Sequence, residues 1–125
     1  MEKKIKFREF ETSSGKKVLA GKSATNNEEI VEQIEKNEDV FHTSKPGSPF
    51  VNIKGKSNAQ DRKEAAIFCA RYSQDWRDNK KDVEVHWFRG KDIHKRKGMK
   101  TGTFGVNNFK IIKIKKSEIE RWIKK

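Results

Sequence analysis

The residues that could carry nucleophilic chemistry lie in one short segment. His42 is close to Ser44 and Ser48, and Asp39 precedes it by three residues. In a Ser–His–Asp group the imidazole takes the hydroxyl proton and the carboxylate orients the imidazole. Because no other segment is identifiable as an oxyanion hole, the sequence favours plainer roles. Asp39 would cap a turn, and His42 would be a half-buried or ligand-facing strand residue.

Spacing disfavours the other common kinds of reactive site. Gly15 and Gly21 have five residues between them, one more than a P-loop allows. The single cysteine, Cys69, lies on the apolar face of a predicted helix, where a lone cysteine usually behaves as a small hydrophobe. The three histidines lack the pairwise spacing of metal ligands. We therefore expect no metal, no cofactor and no small-molecule substrate.

Anion binding has the stronger pattern. The glycine-punctuated segment 89–100 contains six Lys or Arg residues and one Asp. Basic side chains on a flexible loop suit phosphate contacts, which provide affinity and register without reading base sequence. The alternative is a solvated loop without a ligand. The residues expected to contact phosphates are Arg89, Lys91, Lys95, Arg96, Lys97 and Lys100.

The charge of the whole chain points the same way. The 125 residues include 30 Lys+Arg and 18 Asp+Glu, a net charge of +12. Residues 86–125 carry 13 basic and 3 acidic residues, so they hold nearly all of the excess. A concentrated basic surface attracts polyanions. Nucleic acid is the favoured partner, ahead of an unspecific basic surface and of an anionic membrane.

Composition limits the class of protein. No apolar run approaches the ~18 residues that span a bilayer, and no apolar segment follows the charged N-terminus as in a secretory signal. One cysteine cannot form an intramolecular disulfide. We expect a cytoplasmic protein with a single nucleic-acid-binding domain over residues 1–125 and no association with membranes.

Apolar periodicity predicts the elements that must position these residues. The expected class is α+β: a mostly antiparallel sheet with one long helix and short helices packed on one face. Strands are predicted at residues 3–11, 17–20, 39–43, 50–53, 83–88, 103–106 and 109–115, the first two and the last two pairing as hairpins. A helix should begin near Asn26 or Asn27 with Glu28 and Glu29 in its first turn; the long helix should begin at a Ser57–Gln60 capping box and end near 78–79; and a short terminal helix should begin at a Ser117–Glu120 box.

Residues 46–49, Pro-Gly-Ser-Pro, form a stiff turn between two predicted strands. Such a turn could present backbone N–H groups and the Ser48 hydroxyl to a phosphate or a base edge. A plain structural turn fits the same spacing.

Four segments together resemble the NFACT-R domain, an RNA-binding module, over about residues 7–114. They are Gly21–Ile30, with Asn27 at the family's asparagine; Asp39–His42 followed by Pro46-Gly47-Ser48; the helix around Glu64–Ser73; and the lysine-glycine loop Lys95–Gly102. The sequence departs from the family pattern in three respects, one of which is a shorter spacing from Asp39 to Pro46 than in longer members of the family. Pro49 stands where a histidine usually follows Pro-Gly-Ser, and Phe41 stands where a tryptophan is usual.

The resemblance implies a non-enzymatic module that binds tRNA or ribosomal RNA in translation, ribosome quality control or RNA modification. It implies a stand-alone member of the family, with the basic loop gripping phosphates. The more selective RNA-binding surface would comprise Lys22, Asn27, Asp39, His42, Pro46, Gly47 and Ser48. Trp76, Trp87 and Trp122 could stack on bases, although Trp76 and Trp87 fit core positions better.

Two alternatives belong to other classes of protein. One is an adaptor whose basic face docks an acidic protein. The other is a nucleic-acid-processing enzyme that uses Asp39, His42 and Ser48.

Overall fold

The computed structural model describes residues 7–125, so residues 3–6 of the first predicted strand lie outside the described part. The strands are β1 (Arg8–Glu11), β2 (Lys17–Ala20), β3 (Asp39–Thr43), β4 (Val51–Ile53), β5 (Val83–Arg89), β6 (Ile93–His94), β7 (Gly105–Val106) and β8 (Lys110–Ile114). The helices are α1 (Ala24–Gln33), α2 (Ala59–Arg71), α3 (Gln74–Asn79) and α4 (Lys116–Ile123), with a 3-10 turn at Gly90–Asp92. None of these helices is long and apolar enough to cross a bilayer.

Six strands form one sheet in the order β1-β2-β4-β3-β5-β8, and every neighbouring pair is antiparallel. The predicted α+β class and mostly antiparallel sheet are confirmed. β3 and β5 are neighbouring inner strands of this sheet. Their register sets His42 opposite His86 and Phe41 opposite Trp87.

Both faces of the sheet are covered, which the one-face prediction missed. Val18, Phe41 and Val85 point to one face and pack under α2, α3 and α4. Their strand neighbours Leu19 and Val40 point to the opposite face, where α1 and the β6–β7 pair cover them. Successive side chains of a strand alternate between faces, so apolar residues at adjacent positions required two layers.

The predicted long helix is two helices. α2 ends at Arg71, and Ser73 begins α3 by accepting a hydrogen bond from the Trp76 N–H at 3.1 Å. The break leaves Tyr72 38% exposed, although helical spacing had placed it on the buried face. The N-terminal capping box is also shifted by one residue. It is formed by Asn58 and Asp61 and not by Ser57 and Gln60.

Three smaller predictions also need correction. α1 begins at Ala24 with Ser23 as its cap, so Glu28 and Glu29 lie beyond the first turn. α4 has Lys115 at its N-cap and no full capping box, because a lysine side chain cannot accept; Glu118 Oε1 accepts from the Lys115 N–H at 3.0 Å. The second hairpin does not form, because β7 pairs with β6 and β8 pairs with β5. The segment 89–100, predicted as a loop, therefore includes β6, a strand of the small two-stranded sheet.

Candidate nucleic-acid interface

A cleft of about 620 Å³ opens where α1, the 46–49 turn, the α2–α3 junction and residues 101–103 meet. We call it the basic cleft, because none of its lining residues is acidic and five are cationic: Arg8, Lys22, Arg71, Arg77 and Lys80. A concave surface lined by charges of one sign focuses the electrostatic potential and concentrates oppositely charged ligands. The arrangement suits a phosphate backbone.

Tyr72 organises one side of the basic cleft. The Arg8 guanidinium lies over its ring at 4.0 Å from the centroid, and the Arg71 guanidinium lies at 4.8 Å. Cation–π contacts of this kind orient a guanidinium without neutralising it. Both arginines therefore keep their charge for a ligand. Tyr72 occupies this position because Ser73 stops α2 directly after it.

The 46–49 turn forms the opposite wall of the basic cleft and is held by hydrogen bonds to α3 and β3. Gly47 has φ +88°, and its carbonyl accepts a hydrogen bond from the Gln74 N–H at 2.7 Å. The Ser48 hydroxyl accepts from the Thr43 N–H at 3.0 Å and is buried. Pro46 and Gly47 are exposed. Gly47 lines the basic cleft and Pro46 does not, while the buried Ser48 hydroxyl holds the turn to β3.

Asn27 and Lys22 have different surroundings at the start of α1. The Asn27 side-chain oxygen accepts from the Phe50 N–H at 3.1 Å, which ties the helix to the residue before β4. Asn27 is buried, whereas Lys22 is exposed on the cleft rim. Of the two predicted site residues, Lys22 is the one whose side chain is free to meet a ligand.

Asp39 lies away from the basic cleft, on the other face of the sheet from His42. Its buried carboxylate accepts from Trp87 Nε1 at 2.8 Å, pairs with Arg89 Nε at 3.0 Å and accepts a hydrogen bond from the Ser57 hydroxyl. Residues three apart in a strand point to opposite faces. Asp39 therefore neither caps a turn nor orients His42. The catalytic group proposed from sequence is not assembled.

His42 is half-buried in the cleft floor. Its Nδ1 lies 2.8 Å from the Thr43 carbonyl oxygen, and a carbonyl can only accept, so Nδ1 carries the hydrogen. Burial lowers the pKa of His42. The ring is therefore neutral at pH 7, and Nε2 presents a lone pair. Among residues 7–125 no hydrogen-bond partner of Nε2 is found. That atom is available to a ligand donor.

Glu28 anchors the basic segment to α1. Its Oε1 accepts from Lys95 Nζ at 2.6 Å and from the Gly102 N–H at 2.8 Å. These bonds, led by that from Lys95, lower the pKa of Glu28. Lys95 Nζ also donates to the carbonyls of Lys100 and Thr103, at 2.6 and 2.9 Å. Lys95 is thus a clamp that holds residues 101–103 against the basic cleft.

The other predicted phosphate-binding residues are divided between two places. Arg89 pairs with Asp39, on the face of the sheet opposite to His42, and 43% of the Arg89 side chain is exposed. The exposed side chains near the loop tip are Arg96, Lys97 and Lys100, and Lys91 is exposed beside the 3-10 turn. The sequence therefore identified the basic loop. The structure shows that Lys95 anchors this loop, whereas the other cations near its tip are exposed.

A second pocket, of about 410 Å³, adjoins the basic cleft and shares His42, Gly47, Gly102 and Thr103 with it. We call it the aromatic pocket. Its walls include His86 and four phenylalanines: Phe50, Phe88, Phe104 and Phe109. Because these phenylalanines are scattered over the sequence, only the fold reveals that they meet.

The three tryptophans that the sequence offered as stacking platforms are buried or packed against other side chains. Trp76 is 4% exposed and belongs to the core. Trp87 is flanked by Arg62 at 4.9 Å and Lys110 at 5.4 Å from its ring centroid. Trp122 packs edge-on against Phe10. None of the three lies open as a platform for a base.

The described residues provide neither a reactive thiol nor a metal cluster. Cys69 is fully buried, and burial raises its pKa to about 12, so it stays a thiol at neutral pH. Within residues 7–125, no group of three His, Cys, Asp or Glu side chains is arranged to hold a metal ion.

Sequence reasoning missed the cations that define the basic cleft outside the loop. They are Arg8, Arg71, Arg77 and Lys80. They are dispersed in a chain rich in lysine and arginine, so local density did not single them out. The one available signal was Ser73 with Asp75 after Tyr72, a helix-start pattern that predicts the break.

Comparisons with known proteins agree with this architecture. The family described as the NFACT protein RNA binding domain matches residues 6–108. A Methanocaldococcus jannaschii protein named Archaeal Rqc2 homolog aRqcH is 32% identical over 82 residues, covering 62% of this chain and 12% of that protein. The solved C-terminal part of the fibronectin/fibrinogen-binding protein from Streptococcus suis superposes with a TM-score of 0.81 at 22% identity, covering 96% of this chain and 50% of that one.

Proposed function

Because the chain belongs to the NFACT protein RNA-binding domain family, we propose that it is a non-enzymatic, cytoplasmic module that binds structured RNA, either tRNA or ribosomal RNA. The family assignment confirms the resemblance drawn from the four sequence segments. The proposed setting is translation, with ribosome quality control or RNA modification as the process served.

The basic cleft is the observation that carries the proposal. Its lining combines five cationic side chains with no acidic residue, although the chain contains 18 Asp and Glu. Acidic residues are present elsewhere, so their absence from the lining is local. The proposed contacts are made by the cleft cations and by the exposed loop-tip cations Arg96, Lys97 and Lys100, all with phosphates.

The archaeal relative supports the proposed setting. Its name describes it as a homolog of Rqc2, and the NFACT-R domain is known from ribosome-quality-control factors. The chain spans about an eighth of that relative and half of the solved streptococcal chain. We therefore propose a shared RNA-binding step and not the relative's whole activity.

The direct test is binding of tRNA to the purified protein, followed by fluorescence anisotropy at several salt concentrations. We expect saturable binding that weakens steeply as salt rises, because each phosphate contact contributes about 0.7–0.9 to the log–log slope. The control ligand is an acidic polypeptide of matched length. Tight binding of that polypeptide with no binding of tRNA would favour the protein adaptor and contradict the proposal.

A further inference from the structure

The aromatic pocket has the composition of a site for a flat, uncharged ring. Phe50 and Phe88 form its buried base, while Phe104 is half-buried and Phe109 is 46% exposed. His86 stacks on Phe109 with a centroid separation of 4.0 Å and an interplanar angle of 15°. The stack orients the exposed Phe109 ring, which lines the pocket.

The walls are held in place before any ligand arrives. The Phe104 ring meets Phe50 edge-on at 5.3 Å, and Lys95 Nζ lies 4.6 Å from the Phe104 centroid. Because Glu28 also binds Lys95, α1 holds this wall through the same clamp that positions the basic loop. A rigid aromatic wall loses little conformational entropy when a ligand binds.

The position of the pocket decides between possible occupants. It opens beside the basic cleft, and His42 lines both. A ligand that filled both would carry an apolar, planar group next to several negative charges. An unpaired nucleotide within an RNA strand has this chemistry. A base in a regular duplex does not, because both faces of its ring are already stacked.

We infer that the aromatic pocket receives one unpaired base of the bound RNA, stacked on Phe109, while the flanking phosphates occupy the basic cleft. This inference rests on the proposed RNA-binding function and names the part of the RNA that is recognised. The lone pair on His42 Nε2 lies at the junction and accepts from a donor on the nucleotide, either a base N–H or the ribose 2′-hydroxyl.

The test compares two RNA probes with equal numbers of phosphates: a hairpin with an unpaired loop and a blunt duplex. A third probe is the hairpin with abasic loop nucleotides. We expect the wild-type protein to bind the intact hairpin more tightly than either other probe, by roughly 5- to 150-fold, the effect of stacking one base on an aromatic ring. Equal affinity for the intact and abasic hairpins would overturn the inference.

Substitutions locate the effect. Phe109→Leu keeps an apolar side chain without a ring, so it should abolish the preference for the intact hairpin while the affinity for the duplex is retained. Phe109→Trp should preserve the preference for the intact hairpin. The control is Ile123→Ala on α4, where a side chain of similar exposure, 45%, lies on the opposite face of the sheet. It should change neither affinity. A folded Phe109→Leu protein with the wild-type preference would contradict the assignment of the pocket.

Fluorescence gives an independent readout. 2-Aminopurine in the hairpin loop should be quenched by wild-type protein and not by Phe109→Leu, because stacking quenches it. The outcomes separate the two proposals. A wild-type protein that binds neither hairpin nor duplex overturns both the RNA-binding function and the pocket. A protein that binds both RNAs equally, without quenching, overturns the pocket alone.

Discussion

Neutralising two cations of the basic cleft should reduce the salt dependence of RNA binding by a calculable amount. The double variant Lys22→Ala/Arg77→Ala removes charges from two exposed side chains that line the cleft from different elements. Neither takes part in the Glu28 clamp or packs in the core. The fold should therefore survive, and the change in binding should report lost phosphate contacts.

The expected magnitude follows from counterion release. Each lost contact lowers the log–log slope by about 0.7–0.9, so the double variant should lose about 1.4–1.8. Over the fourfold rise from 50 to 200 mM salt, the eight proposed contacts would weaken binding by the wild-type protein by roughly a thousandfold or more. The double variant should weaken about tenfold less over the same range.

The assay is anisotropy with labelled tRNA at four or more salt concentrations, with circular dichroism to confirm folding. The matched control is Lys56→Ala/Lys124→Ala, which removes two exposed lysines that do not line the cleft. Its slope should stay close to the wild-type value. If both double variants flatten the slope equally, binding is a property of the net charge. If Lys22→Ala/Arg77→Ala leaves slope and affinity unchanged, the cleft is not the site.

The remaining predictions concern the loop, the turn, Asp39 and pH. Arg96→Ala/Lys97→Ala should weaken tRNA and duplex binding alike with an unchanged melting temperature, whereas Lys95→Ala should accelerate amide hydrogen exchange at Gly102, because it opens the Glu28 clamp; unchanged exchange would refute the clamp. Gly47→Ala should destabilise the fold by about 1–3 kcal/mol in urea, because a side chain resists φ +88° and its Cβ would lie 2.5 Å from Gln74 Oε1; a neutral result would contradict the turn geometry. Asp39→Ala should cost about 1–3 kcal/mol by leaving the Trp87 N–H without its acceptor, while Asp39→Asn should cost less. Burial lowers the pKa of both His42 and His86 in the folded protein. The unfolded chain therefore binds more protons, and the free energy of unfolding should fall as pH drops below about 6.5. His42→Phe/His86→Phe should remove this fall in stability, and an unchanged pH profile of stability in the variant would show that the histidines do not cause it.

Local periodicity predicted the sheet well, because alternation is a property of neighbouring residues. The segment Asp39–Thr43 was predicted with its observed bounds, and the strand from Val83 was found from its alternating valines. The same reasoning failed at Tyr72. Apolar residues at helical spacing continue through Trp76 across the break, and the Ser73 cap that ends α2 was outweighed by that spacing.

The basic loop of the candidate site was identifiable from the sequence, but the cleft was not. Lys95 looked like its neighbours Arg96 and Lys97 in sequence. Its partner Glu28 is 67 residues away, and no local sequence pattern predicts such a pair. Asp39 shows the same limit, because its contacts with Trp87 and Arg89 exist only through the β3–β5 register. The partners that distinguish an anchoring residue from an exposed cation lie far from it in the chain.

The most direct measurement is an NMR titration of the ¹⁵N-labelled protein with the hairpin RNA. The account predicts shift changes at the backbone amides of Lys22, Gly47, Arg77 and Gly102 around the basic cleft, and at Phe104 and Phe109 in the aromatic pocket. The amides of α4, which lines neither the cleft nor the pocket, should stay unchanged. Changes confined to α4 and the neighbouring surface of α2, or no change at saturating RNA, would contradict the central claim that this cleft and pocket form the RNA-binding surface.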